Sequence, residues 1–546
     1  MRGGLLMQPE PSVMTASQHF AQVPSAQIER STFDRSHGLK TTFDAGYLIP
    51  VLLDEMLPGD TFNCNMQAFA RLATPLKPVM DNMFLNSFFF FVPMRLIWQH
   101  WREMNGQQAD PNSSTDYHMP KLTGGVGGFA VQCGSIYDYF GLPLGTLTGL
   151  TRLTCLPLRA YALCWNEFFR DQNLQDSISI PLNDGPDDMT IYELMRRGKR
   201  KDYFSGSLPF AQKGLAVTLP LGTTAPVSWT VPDFYENRWV KASDHNDSRG
   251  VLHEDNAGAI TATVSGDGGW DIDMKIAKPL DGYADLSLAT ASTINAIRLA
   301  FQMQKMLERD ARGGTRYTEV IKSHFGVVSP DSRQMRPELI GTGETGVIVQ
   351  PVANTAAGSA GFNLGQLAAY GAAVVCGGHG FTYSATEHGY VIGLVSVRCD
   401  LTYQYGVDRM WFRDTRYDHY WPALSHLGEQ EVLNQEIYWS NNPAVDEDTW
   451  GYQERYAEYR YKPSRVTGLM RTNAAAGGGT SIDVWHLGIR EAALPELDAD
   501  WIQDTPPLDQ VIATPSEPHF ILDAFFRYRC ARPIPVYSVP GLVDHF

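Results

Sequence analysis

Five cations fall within six residues at Arg196-Arg197-Gly198-Lys199-Arg200-Lys201, with Tyr203 and Phe204 close behind. Cationic side chains neutralise phosphates and aromatic rings stack on bases, so this run is a candidate nucleic-acid contact. A solvated surface, or a contact to carboxylates of a neighbouring subunit, is the alternative use of the same charges. Arg527 and Arg529 are a second candidate. They stand two apart on the polar face of a predicted strand, and a strand face carrying both follows a single-stranded backbone.

The remaining constellations argue against catalysis. Gly341-Thr342-Gly343-Glu344-Thr345-Gly346 satisfies G-x-G-x-x-G, but the run after it, Val347-Ile348-Val349-Gln350-Pro351, is extended and proline-closed. A dinucleotide site needs a helix there, so a glycine-rich loop is expected instead. Cys376, His379 and His388, with His419 and His426 further on, have no structural-zinc spacing, and the glycines among them favour a tight turn between strands. Asp54-Glu55 and Asp187-Asp188 are sequence neighbours, which in a strand point to opposite faces. Ser425-His426 and Asp418-His419 are likewise adjacent, and no G-x-S-x-G exists. The expectation is no enzyme, no cofactor and no metal site.

The elements that would position the arginines are mostly strands. Phe62, Cys64, Met66, Ala68 and Ala70 alternate with Asn63, Asn65, Gln67 and Arg71, the pattern of a half-buried antiparallel strand. Met83 to Val92 is apolar on both faces and is expected to be central. Val391, Val395, Val397, Cys399, Leu401 and Tyr403 alternate with Ser396, Arg398, Asp400, Thr402 and Gln404 in a third strand. Phe520, Leu522, Ala524, Phe526, Tyr528 and Cys530 alternate with Asp523, Arg527 and Arg529 in a fourth. Two helices are predicted. One carries Leu158, Ala162, Trp165 and Phe169. The other carries Ile294, Ile297, Phe301 and Leu307, capped by Thr290, Ser292 and Thr293 and closed before Gly313-Gly314. Strands at both ends of a chain, enclosing long insertions, suit a β-sandwich with enlarged loops.

Composition narrows the function classes. Of 546 residues, 43% are hydrophobic and 19% charged, which excludes a disordered chain. Forty-four basic against sixty acidic residues give a formal charge of −16, so any nucleic-acid contact must be local. Seven cysteines without a C-x-x-C pair read as buried thiols of a reducing cytoplasm. The N-terminal residues lack the apolar core of a signal peptide, and Phe88-Phe89-Phe90-Phe91-Val92 stops at Pro93, so no membrane insertion is expected. The domain reading is an arm over 1–32, core over 33–205, an insertion with its own small β structure over 206–285, and core plus C-terminal tail over 286–546.

Several runs resemble one known family. They include Ser36-His37-Gly38-Leu39-Lys40-Thr41-Thr42-Phe43-Asp44-Ala45-Gly46, Leu57-Pro58-Gly59-Asp60-Thr61-Phe62, and Phe88 to Pro93 with Trp98 and Trp101. Trp165-Asn166-Glu167-Phe168-Phe169-Arg170-Asp171, Leu307 to Tyr317, Ser323-His324-Phe325-Gly326-Val327, Tyr452 to Arg455, Ala457 to Ser464, and Pro540 to Phe546 follow in order. The chain resembles the major capsid proteins of microviruses, small single-stranded-DNA bacteriophages, and most of all their gokushovirus branch. Residues 1–30 and about 206–285 carry no family signature, and Leu39 departs from the polar residue of the pattern.

The resemblance implies a mainly β chain, an eight-stranded antiparallel jelly roll with long loop insertions and a few helices. It further implies a T=1 icosahedral shell of sixty copies enclosing circular single-stranded DNA, assembled in the host bacterial cytoplasm and located in the virion. A small basic DNA-binding virion protein, other minor virion proteins and a bacterial surface receptor are the implied partners. The insertion would project at threefold axes for host attachment. Arg455, Glu458 and Arg460 are candidates for inter-subunit ion pairs. The competing reading is a carbohydrate-binding or carbohydrate-active β-sandwich, with tryptophans of the insertion stacking on sugars.

Overall fold

The alternation at Phe62 and at Phe520 is realised as two neighbouring strands of one antiparallel sheet. The computed structural model describes residues 29–124, 127–148, 150–217, 294–328, 334–355 and 364–537, with short strands between 227 and 284. The sheet comprises β1 (Ser31–Asp34), β2 (His37–Phe43), β3 (Ile49–Met56), β4 (Thr61–Leu72), β5 (Met83–Pro93), β6 (Glu338–Ala353), β7 (Leu367–Val375), β8 (Gly380–Ser384), β9 (Gly389–Cys399) and β10 (Phe520–Arg532). Their order is β1-β10-β4-β7-β6-β5-β9-β3. β2 continues β1 along the same edge of β10, and β8 and β7 lie end to end along β4. Ten segments thus fill eight lanes, in keeping with the jelly-roll expectation.

The long strand β6 joins two halves. Its first part, Glu338 to Val347, pairs with β5, and its second part, Ile348 to Ala353, pairs with β7. The inward side chains of both halves share one core. Phe62, Met66 and Ala70 of β4 and Phe520, Leu522 and Phe526 of β10 pack in it with Leu85 and Phe89 of β5 and Val391 and Val395 of β9. This is a sandwich built from the period-2 side-chain pattern.

The two halves differ on their outer sides. β9 is buried at every position, because the outer face of β5 and β9 is covered by helix α1 (Leu156–Phe168) and the loops around it. Phe90, Val92, Ile392 and Leu394 pack there against Leu158, Tyr161 and Trp165. That cover explains why Met83 to Val92 is apolar on both faces, and β5 is central, between β6 and β9. The third predicted strand ends at Cys399; Leu401 and Tyr403 lie beyond it, Tyr403 in a short parallel pairing with Arg465. The face of β10, β4 and β7 has no such cover among the described residues.

Two expectations need correction. The G-x-G-x-x-G run is not a loop but lies inside β6. Gly341 and Gly343 pass so close to β8 that a Cβ would strike the Gly380 carbonyl at the first and the His379 ring at the second. The glycines permit strand approach, with a one-residue bulge between Leu339 and Gly341. Gly343→Val is therefore expected to cost about 1–3 kcal/mol by overpacking, measured as a lower urea midpoint with unchanged slope. The cysteines are also not uniformly buried: Cys133 and Cys376 are exposed, while Cys64, Cys155, Cys164, Cys399 and Cys530 are buried.

Contacts divide the chain into two units, residues 1–211 with 310–546, and residues 212–309. Within the second, Trp239–Lys241, Arg249–Glu254 and Ile260–Val264 form a three-stranded sheet, and Val227–Trp229 pairs with Gly282–Ala284. Helix α2 (Ile294–Arg312) ends before Gly313-Gly314 as the sequence predicts, and α3 (Tyr317–Phe325) stops at Gly326, whose φ is +71°. The caps proposed at Thr290, Ser292 and Thr293, and residues 1–28 of the predicted arm, lie outside the described residues. Among those described, no helix is long and apolar enough to cross a membrane.

Candidate nucleic-acid interface

The basic run divides between interior and surface. The Arg196 guanidinium lies 4.0 Å over the Tyr47 ring and donates to the carbonyls of Ala45 and Asp504. Arg197 donates to Asn86 Oδ1 at 3.0 Å, and burial lowers its pKa. Lys199 is buried, its ammonium 4.0 Å over the Trp501 ring and bonded to the Trp501 carbonyl. Burial pushes the Lys199 pKa down to about 8. Arg200 is exposed, and exposed Lys201 pairs with Asp171. Tyr203 and Phe204 belong to a third core cluster with Tyr403, Trp450 and Trp501. Aromatic faces, backbone carbonyls and the Asn86 amide absorb three of the five cations, leaving Arg200 and Lys201 at the surface.

Arg527 and Arg529 stand differently. Both are exposed on the outer face of β10, opposite Asn65 and Asn63 of β4, and neither forms an ion pair or side-chain hydrogen bond among the described residues. The same face carries Arg71, which sits opposite Ile521 and holds its guanidinium 5.5 Å from the Tyr370 ring. Lys40 pairs with Asp523 at 2.7 Å on the same side. Between these cations the face presents Phe69 and Phe525, both over 40% exposed, with Val374, Ile521 and Ile348. Arginines interleaved with exposed aromatic rings are what a single-stranded nucleic acid requires: charge for the backbone and flat surfaces for bases. A large apolar face left bare marks a contact surface.

Sequence reasoning reached Arg527 and Arg529 but missed Phe69, Arg71, Tyr370 and Phe525 as part of one face. The signal was present, since Phe69 and Phe525 are aromatic residues at outward positions of otherwise alternating strands.

Several other candidate groups have structural partners. His379 bonds Ser87 Oγ and Thr345 Oγ1, both at 2.8 Å, and burial lowers its pKa. Asp54 pairs with Arg35, and Asp187 with Arg159. Among the described residues no three His, Cys, Asp or Glu side chains gather as a metal site. Glu458 accepts from Arg413 and Gln430, Arg460 pairs with Glu454, and Arg455 donates to the Tyr417 carbonyl, so these three are engaged within the chain.

The described residues thus combine a jelly-roll sandwich with a bare, arginine-bearing sheet face. Residues 21–542 match the family described as capsid protein (F protein). The chain belongs to that capsid protein family. Capsid protein VP1 of Bdellovibrio phage phiMH2K is 43% identical, over 97% of this chain and 99% of the relative. Capsid protein VP1 of Chlamydia phage 1 is 41% identical over 97% and 98%. That of Spiroplasma virus 4 is 31% identical over 98% and 100%. These are gokushovirus-type microvirus proteins. The capsid protein is therefore a structural, non-enzymatic component of the virion, in place of the carbohydrate-active alternative.

Proposed function

We propose that sixty copies of this capsid protein close into a T=1 icosahedral shell around circular single-stranded DNA, with the outer face of β10, β4 and β7 turned toward the genome. The observation that carries this reading is the exposed pair Arg527 and Arg529, without side-chain hydrogen bonds among the described residues although Asp34 lies opposite Arg529, beside Arg71 and exposed aromatic rings. In a chain of net charge −16 that face is where phosphates are locally welcome. Arg200 and Lys201 add phosphate contacts at the edge of the basic run. The remaining repulsion is met by a small basic virion protein packaged with the DNA.

Residues 206–285 are assigned to host attachment at the threefold axes, with a bacterial surface receptor as partner. The separate contact unit over 212–309 supports that assignment.

The test is a salt titration of oligo(dT) binding by the purified subunit. For single strands, log K falls with log salt by about 0.7 per phosphate neutralised. The double variant Arg527→Gln/Arg529→Gln is expected to flatten the slope by about 1.4. An unchanged slope contradicts the assignment of this face.

A further inference from the structure

Behind the basic run lies a cavity of about 260 Å³, walled by apolar groups such as Leu487 and Trp501, by the polar groups Lys199, Glu491, Asp504 and Gln510, and by Asp400 and Arg490, which are paired with Arg398 and Asp483. Asp504 is 3% exposed, yet its carboxylate makes no hydrogen bond among the described residues; only its backbone is bonded, to Arg197 and Arg196. The Lys199 ammonium uses one of its three donors, on the Trp501 carbonyl. Gln510 Oε1 is buried without a hydrogen-bond partner among the described residues. Buried polar groups are ordinarily satisfied, and a cavity this polar and roomy takes water or a hydrogen-bonding ligand. Burial pushes Asp504 up to about 6 even though Arg197, Lys199, Arg398 and Arg196 act in the other direction.

The surroundings restrict what that occupant is. Lys199 and Arg490 in the wall, with Arg196, Arg197 and Arg398 acting on Asp504 from nearby, disfavour a cationic ligand, and the carboxylates of Asp400, Glu491 and Asp504 disfavour a bare anion. A flat, neutral group with donors beside an acceptor fits both constraints. A cavity of about 150 Å³ accepts benzene, so this one has room for a fused two-ring base. Guanine offers N1–H and N2–H₂ to a carboxylate, and its adjacent O6 accepts from an ammonium.

We infer that this cavity binds a guanine base, with Asp504 accepting from N1–H and N2–H₂, Lys199 donating to O6, and Trp501 forming a wall. The base comes either from an unstacked nucleotide of the packaged strand, which rests on the genome-facing reading above, or from a free nucleotide.

Calorimetric titration of the purified capsid protein with dGMP and dTMP tests the cavity itself. Oligo(dT) ten-mers with and without one central guanine test the source. We expect dGMP to bind at least tenfold more tightly than dTMP, and Asp504→Asn and the cavity-filling Leu487→Trp each to abolish that preference. Circular dichroism and thermal melting check that both variants fold. Equal binding of dGMP and dTMP by the unmodified protein overturns the inference whatever the variants do. If guanine is preferred only as the free nucleotide and no oligomer binds, the cavity stands and the genome-facing reading falls. If dGMP is preferred but oligomers bind with the expected salt slope and without base preference, both readings stand and the base comes from a free nucleotide; if dGMP is not preferred either, the cavity falls and the genome-facing reading stands.

Discussion

Arg159→Ala is expected to destabilise the subunit by about 3–5 kcal/mol, enough to leave much of it unfolded at 37 °C. The Arg159 side chain is fully buried on α1. Its Nε and Nη2 reach the two oxygens of Asp187 at 2.8 and 2.7 Å, and its Nη1 donates to the carbonyls of Ile97 and Asn183. Tyr192 donates its hydroxyl to the same carboxylate at 2.6 Å. Removing the guanidinium strands a carboxylate that is 2% exposed, along with two carbonyls. Burial raises the Asp187 pKa, but the bonds from Arg159 and Tyr192 more than reverse this and hold it below the ordinary carboxylate value.

A depressed folded-state pKa means the pair's stabilisation is complete above the unfolded carboxylate value near 4. It is lost as pH falls from there through the folded value. Urea melts at pH 7.5 and at pH 3.5 should therefore differ less for Arg159→Ala than for the unmodified protein. The double variant Arg159→Met/Asp187→Leu should recover most of the loss at pH 7.5, since no charge remains buried. A loss under 1 kcal/mol for the single variant contradicts the account.

The second large effect separates the inside of the sheet from its outside. Phe89 is fully buried between the two halves and packs on Phe381 at 5.2 Å between ring centroids. Phe89→Ala should cost about 3–5 kcal/mol through lost burial and a residual cavity. Phe525 is 45% exposed on the uncovered face, so Phe525→Ala should change stability by no more than about 0.5 kcal/mol. Its effect should fall on oligo(dT) affinity instead, by about 1–3 kcal/mol if one base stacks there. Chemical unfolding and oligonucleotide binding on the same two preparations check both halves of the prediction. Equal stability losses would mean that the two faces are not distinct.

Strand patterning was legible wherever one face meets a core and the other does not. Phe520 to Cys530 alternates except at the outward Ile521 and Phe525, and each inward residue is buried. Apolar residues on both faces of β5 correctly indicated a central strand, but not that α1 supplies the second cover, because α1 follows more than sixty residues later. The family runs added the eight-lane topology, which periodicity alone leaves open.

The glycines of β6 misled because G-x-G reports that something approaches the backbone closely, without saying whether it is a phosphate or another strand. Here it is β8. The basic run misled differently. Its charge density was read from the sequence, but the aromatic rings that take up Arg196 and Lys199 belong to Tyr47 and Trp501, far away along the chain. Arg527 and Arg529 were easier, since a strand with one apolar face must present its other residues outward.

A cryo-electron-microscopy reconstruction of particles assembled from the expressed capsid protein tests the central claim most directly. The account predicts a closed shell of sixty subunits in which Arg71, Phe525, Arg527 and Arg529 line the inner wall. Particles whose β10–β4–β7 face looks outward, or is sealed beneath a neighbouring subunit, would contradict it.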